Sequence, residues 1–117
     1  MKTITRDELK AKLEKRETIV LLEALPAQYY MQGHLPGAKL FPHDQVSALA
    51  STVAPNKNAE IVVYCASATC KNSHMAADSL ARLGYSNVRV YLEGKKDWQA
   101  AGLPLEVEMS SAAGAQQ

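Results

Sequence analysis

Ile61-Val-Val-Tyr-Cys65-Ala-Ser-Ala-Thr-Cys70-Lys-Asn-Ser73-His-Met-Ala-Ala-Asp-Ser-Leu80 is the stretch that decides the fold. Its first four residues are β-branched or aromatic and uncharged, the pattern of a strand buried on both faces. Cys65 ends that strand, and Ala66, Ser67, Ala68 and Thr69 after it are small enough to curl tightly. The period then changes. Ala76, Leu80 and Leu83 fall at i, i+4 and i+7, one face of a helix that Gly84 is placed to end. Strand, tight loop and helix in that order aim loop N–H groups and a positive helix end at whatever stands at the strand's carboxyl end. Here that is a sulfur. Such surroundings lower a thiol's pKa and hold an anion beside it, so the stretch predicts covalent chemistry on Cys65.

Working upstream, Thr5-Arg-Asp-Glu8 has the form of a capping box, with Ile4 and Leu9 placed for a hydrophobic staple. A helix is expected over 6–15, burying Leu9 and Leu13, then an apolar strand over 18–22. Pro26 opens a short turn or helix through Tyr30. Gly33-His-Leu-Pro-Gly-Ala38 reads as a punctuated turn before a short strand, 39–41. A helix over 44–50 and a loop over 55–58 precede the strand at 60–64. Downstream, 88–91 reads as a strand and 96–101 as a last helical turn or two, stopped by Gly102 and Pro104. Strands alternating with helical patterns predict an α/β fold with a five-stranded, mostly parallel sheet, the strand count coming from the resemblance given below. Ligands of such sheets bind beyond the strands' carboxyl ends, where Cys65 lies. Residues 1–108 are expected to form one domain, and 109–117, small and polar without periodicity, a flexible tail.

Composition narrows the function classes. At 117 residues, 47% apolar and 21% charged, the chain has the make-up of one ordinary globular domain. A net charge of +1 gives no reason to invoke nucleic acid or an acidic membrane surface. Two cysteines in a single loop suit a functional thiol in a reducing compartment better than a disulfide scaffold. The first eight residues hold no apolar signal-peptide core, and no apolar run approaches membrane-spanning length, so a cytoplasmic protein is expected.

Around Cys65 the candidates divide. The Ser67 and Thr69 hydroxyls are placed either to donate to an anionic sulfur or bound oxyanion, or to cap the following helix. Lys71 is a cation at a helix start, where it opposes the macrodipole by roughly 0.3–1 kcal/mol. Its place makes sense beside a bound anion; the alternative is a solvated side chain. Cys70 has three readings: a resolving thiol, a hydrogen-bond partner of Cys65, or a small packed residue. Cys65, Cys70 and His74 do not have a standard zinc spacing, and no fourth ligand is evident. His34 and His43 read as structural, Phe41 and Trp98 as core.

From about Thr3 to Val107 the chain resembles the rhodanese family. Val20-Leu-Leu-Glu23, Tyr29-Tyr30, Gly33-His-Leu-Pro-Gly-Ala38, Ile61-Val-Val-Tyr-Cys65, Ala76-Ala77, Leu83-Gly84-Tyr85, Gly94, Trp98 and Ala101-Gly-Leu-Pro104 follow the family's order and spacing. The resemblance implies a parallel five-stranded sheet flanked by helices, and a sulfurtransferase whose catalytic cysteine, here Cys65, carries a sulfane sulfur as a persulfide. The donor would be thiosulfate or a persulfide. The acceptor would be cyanide, a small thiol or a protein thiol. Residues Ala66, Ser67, Ala68, Thr69, Cys70 and Lys71 would form the substrate-binding loop, and no metal or organic cofactor is implied. The sequence departs from the family at three places. Glu23 and Leu25 stand where Asp-x-Arg is common, Ala68 takes a glycine place, and Cys70 takes an arginine place, with the cation one residue later at Lys71. An arginine fork suits thiosulfate better than a lysine point charge. Counted to Lys71, the loop has the length found in related cell-cycle phosphatases and arsenate reductases. Phosphatase-like or arsenate-reductase-like use of the loop, or a non-catalytic redox-sensing or binding module, are the alternatives.

Overall fold

The computed structural model describes residues 2–107. The chain runs β1 (Lys2–Ile4), α1 (Arg6–Glu14), β2 (Ile19–Glu23), α2 (Ala27–Gln32), β3 (Lys39–Leu40), α3 (Val46–Val53), β4 (Glu60–Tyr64), α4 (Asn72–Arg82), β5 (Val88–Tyr91) and α5 (Gly94–Ala100). The five strands form one sheet in the order β1-β5-β4-β2-β3, and every pairing is parallel. The chain leaves β2 toward one edge and β4 toward the other. The carboxyl ends of β2 and β4 therefore flank the point where the connections diverge, the customary ligand position in such sheets.

Alternation along β4 divides the core. Ile61 and Val63 pack with Leu22, Phe41, Val46, Ala50, Ala76, Leu80 and Tyr85 against α3 and α4. Val62 and Tyr64 pack on the other face with Leu9, Leu21, Leu35, Tyr91 and Trp98, against α1 and α5. Both faces are covered, which is why the central strands read as unbroken apolar runs.

Several sequence expectations shift. Residues 2–4 are a strand at the sheet edge, with Ile4 buried; three residues are too few to show a period. The Thr5 hydroxyl does cap α1, accepting from the Glu8 N–H at 3.1 Å. The Glu8 carboxylate, however, takes a bidentate bond from Arg89 at 2.8 and 2.9 Å, linking α1 to β5. β2 lies one residue later than expected, α3 covers 46–53 instead of 44–50, and α5 starts at Gly94, two residues early. His34 is structural: buried, it stacks on Tyr30 with ring centroids 4.0 Å apart, and its backbone pairs with Glu106. Phe41 and Trp98 are core. The expected tail, 109–117, lies outside the described residues. No helix among those residues is long and apolar enough to cross a membrane.

Candidate active site

The site begins with the parity of β4. Two residues beyond Val63, Cys65 turns toward the α4 side, and its Sγ lies 3.4 Å from Ser73 Oγ in that helix's first turn. The same sulfur is 3.4 Å from the Cys70 carbonyl oxygen, five positions along. As a thiol it donates to one of these oxygens; as a thiolate it accepts from the Ser73 hydroxyl. Cys65 and Cys70 are both free.

The loop between them is pinned at both ends. The Cys70 N–H donates to Ser67 O at 3.1 Å, closing a turn, while the Lys95 and Lys96 N–H groups hold Cys65 O and Ala66 O, each at 2.9 Å. This close approach of α5 requires Gly94. Its φ is +74°, and a Cβ there would stand 2.6 Å from Cys65 O and 2.8 Å from Ser67 N. Beneath the loop lies a buried polar network. Tyr64 Oη donates to Glu23 Oε1 at 2.6 Å and accepts from the Leu35 N–H at 3.0 Å. Lys95 Nζ donates to Glu23 Oε2 and to Tyr29 O, both at 3.1 Å. Glu23 is fully buried, so its charge is matched in place, and burial with the adjacent carboxylate pushes the Tyr64 hydroxyl far above its ordinary pKa, keeping it a donor.

The electrostatics correct one expectation. Burial pushes the Cys65 thiol above the ordinary thiol range, the neighbouring Cys70 thiol adds to this, and the Ser73 hydroxyl and N–H only partly oppose it. The residue is 1% exposed, and losing water outweighs the helix end. Of the other expected residues, Ser67 and Thr69 hydrogen-bond each other at 3.1 Å, neither bonding the sulfur nor capping α4. Lys71 occupies the α4 N-cap without a side-chain cap bond and is exposed. It lines a cleft with Ala68, Thr69 and His74. Two further clefts flank the loop: one with Ser67, Ala68, Thr69, Glu93 and Lys96, the other with Leu25, Tyr29, Ala66, Ser67 and Lys95. Cys65 lines none of the three; the loop covers it. Among the described residues no three His, Cys, Asp or Glu side chains gather as a metal site.

Ser73 and Lys95 escaped the sequence reading. Ser73 carried a signal, a polar residue on the inward face of the helix after the loop. Lys95 carried none that distinguishes it from Lys96.

A rhodanese-like domain model matches residues 5–101. The chain belongs to the rhodanese family. The rhodanese-like domain of an Anabaena sp. protein, solved in solution, superposes with a TM-score of 0.79 at 26% identity, covering 100% of this chain and 87% of that one. A thiosulfate sulfurtransferase from Pseudomonas aeruginosa gives a TM-score of 0.80 at 25% identity over 92% of this chain and 20% of that one. Among curated sequences, an HTH-type transcriptional regulator of Mycobacterium tuberculosis is 35% identical over 106 residues, 88% of this chain. A provisionally named sulfur carrier protein of Bacillus subtilis is 28% identical over 95 residues, 81% of the chain. The rhodanese domain here spans 44% and 49% of those two relatives, about half their length. Family and neighbours together support a role connected with sulfur transfer.

Proposed function

We propose that this rhodanese is a sulfurtransferase in which Cys65 carries the moving sulfur. The observation that carries the reading is the seat of Cys65: at the carboxyl end of the central strand, beside the divergence of the sheet's connections, with its sulfur on the uncapped first turn of α4. The Cys65 thiolate attacks the sulfane sulfur of the donor, and sulfite leaves if the donor is thiosulfate, a thiol if it is a persulfide. The first-turn N–H groups of α4 and the Ser73 hydroxyl stabilise the charge on sulfur. Lys71, in the cleft beside the loop, offsets the charge of an anionic donor. Cyanide, a small thiol or a protein thiol then attacks the outer sulfur of the persulfide and restores the thiolate. Two cysteines in one loop, the pattern of a functional thiol more than of a disulfide scaffold, suit a reducing, cytoplasmic setting.

The test is steady-state sulfur release from thiosulfate and from a glutathione persulfide, with cyanide or a thiol as acceptor. Cys65→Ser should abolish it in a protein of unchanged circular dichroism, because serine cannot carry a sulfane sulfur. Full activity in that variant contradicts the reading. Efficient Cys65-dependent hydrolysis of an aryl phosphate would favour phosphatase-like use of the loop.

A further inference from the structure

Cys70 occupies a place that an external acceptor would have to reach from outside. Its carbonyl oxygen stands 3.4 Å from Cys65 Sγ, and the Cys70 N–H to Ser67 O turn folds this part of the loop back over the sulfur. Cys65 lies under the loop and out of the three clefts around it, whereas Cys70 is part of the cover and half-exposed. Five positions of chain make a short ring, so little loop entropy opposes a bond between them once the Cα atoms are within about 7 Å.

We propose that Cys70 is a built-in acceptor which turns the Cys65 persulfide into hydrosulfide and a Cys65–Cys70 disulfide. This rests on the sulfur-transfer reading above. The Cys70 carbonyl oxygen adjoins Sγ of Cys65, so the attacking thiol belongs to the residue beside the inner sulfur of a persulfide. The Cys70 sulfur attacks Sγ of Cys65, and a bond between the two Sγ atoms forms. The bond from Cys65 Sγ to the outer sulfur breaks, and the outer sulfur leaves with the electron pair as hydrosulfide, taking the Cys70 thiol proton. The sulfane sulfur is reduced and two cysteine sulfurs are oxidised to the disulfide. A dithiol reductant must then reopen the disulfide for another cycle. The added activity is therefore dithiol-dependent reduction of sulfane sulfur to sulfide.

The whole chain is loaded anaerobically with inorganic polysulfide, freed of donor, and left without added thiol. Intact mass, peptide mapping after thiol blocking, and trapped sulfide are followed together. The wild-type chain should lose its added sulfur, release an equal amount of sulfide and yield a linked 65–70 peptide, and dithiothreitol should restore loading. Cys70→Ser should keep the added sulfur on Cys65 at least about tenfold longer, as loss of an intramolecular nucleophile requires. Cys70→Ala and circular dichroism separate this from misfolding, and mapping of the wild-type chain needs no variant. A wild-type persulfide as durable as that of Cys70→Ser, or sulfur recovered on Cys70 without sulfide release, overturns the proposal while leaving sulfur transfer intact. If no chain takes sulfur on Cys65 from polysulfide, thiosulfate or glutathione persulfide, the sulfur-transfer reading fails and this one with it.

Discussion

At the scale of single residues, burial raises the pKa of the Cys65 thiol, proposed above as the nucleophile, and Ser73 partly lowers it. Burial favours the neutral thiol, so the thiolate fraction, and with it the rate of sulfur loading, should climb with pH and level off only above the ordinary thiol range. Ser73→Ala removes the hydroxyl that supports the thiolate at 3.4 Å. The pH profile of kcat/KM should move to higher pH, with a loss of about tenfold near neutrality, the lower end of what a hydrogen bond to a charged group is worth. An unshifted profile would remove Ser73 from the account. Lys71 is exposed, so if it offsets donor charge as proposed, Lys71→Ala should cost about tenfold or less in kcat/KM for thiosulfate, and less for an uncharged donor. Equal losses for both donors would contradict an electrostatic role. What the sequence could not weigh was competition. It names the helix end and the small loop, which lower a thiol's pKa, but the extent to which the loop covers Cys65 is a tertiary quantity, and here it dominates.

At the scale of elements, α5 is the part that holds the loop. Gly94→Ala would drive a Cβ to 2.6 Å from Cys65 O at a φ of +74°. It should reduce sulfur transfer by about 10²-fold through displacement of the loop, the scale of a 1 Å misplacement. Near-normal kinetics would show that the loop tolerates movement there. Lys95→Met leaves the Glu23 carboxylate buried with only Tyr64 as donor. Breaking a buried pair in this way should destabilise the fold by about 3 kcal/mol in urea unfolding, and a shift under about 1 kcal/mol would mean that Glu23 finds another partner. The elements themselves were legible where the period was long or the run wholly apolar. β4 was read at its true bounds, and α1 followed from Thr5 and Leu9. β1 was not, because a three-residue edge strand has no pattern, and α5 starts two residues before the expected 96, at Gly94. Glu23 registered as a departure from the family. That it ends buried against Lys95, 72 positions away, follows only from the strand order that sets β2 beside β4.

At the scale of the whole molecule, the parallel sheet brings the carboxyl ends of β2 and β4 together, helices cover both its faces, and the buried Cys65 sulfur sits at the end of β4. The domain corresponds to about half of the curated relatives, one named as a transcriptional regulator and one as a sulfur carrier. What this domain adds to such proteins depends on whether Cys65 itself takes up sulfur. Tandem mass spectrometry of the intact chain after brief exposure to thiosulfate, polysulfide or glutathione persulfide, with alkylation to trap the product, reads this directly. One added sulfur on Cys65, or the 65–70 disulfide it decays to with sulfide released, is expected from at least one donor, and neither product in Cys65→Ser. An unmodified Cys65 thiol after all three donors, in a folded chain, would contradict it.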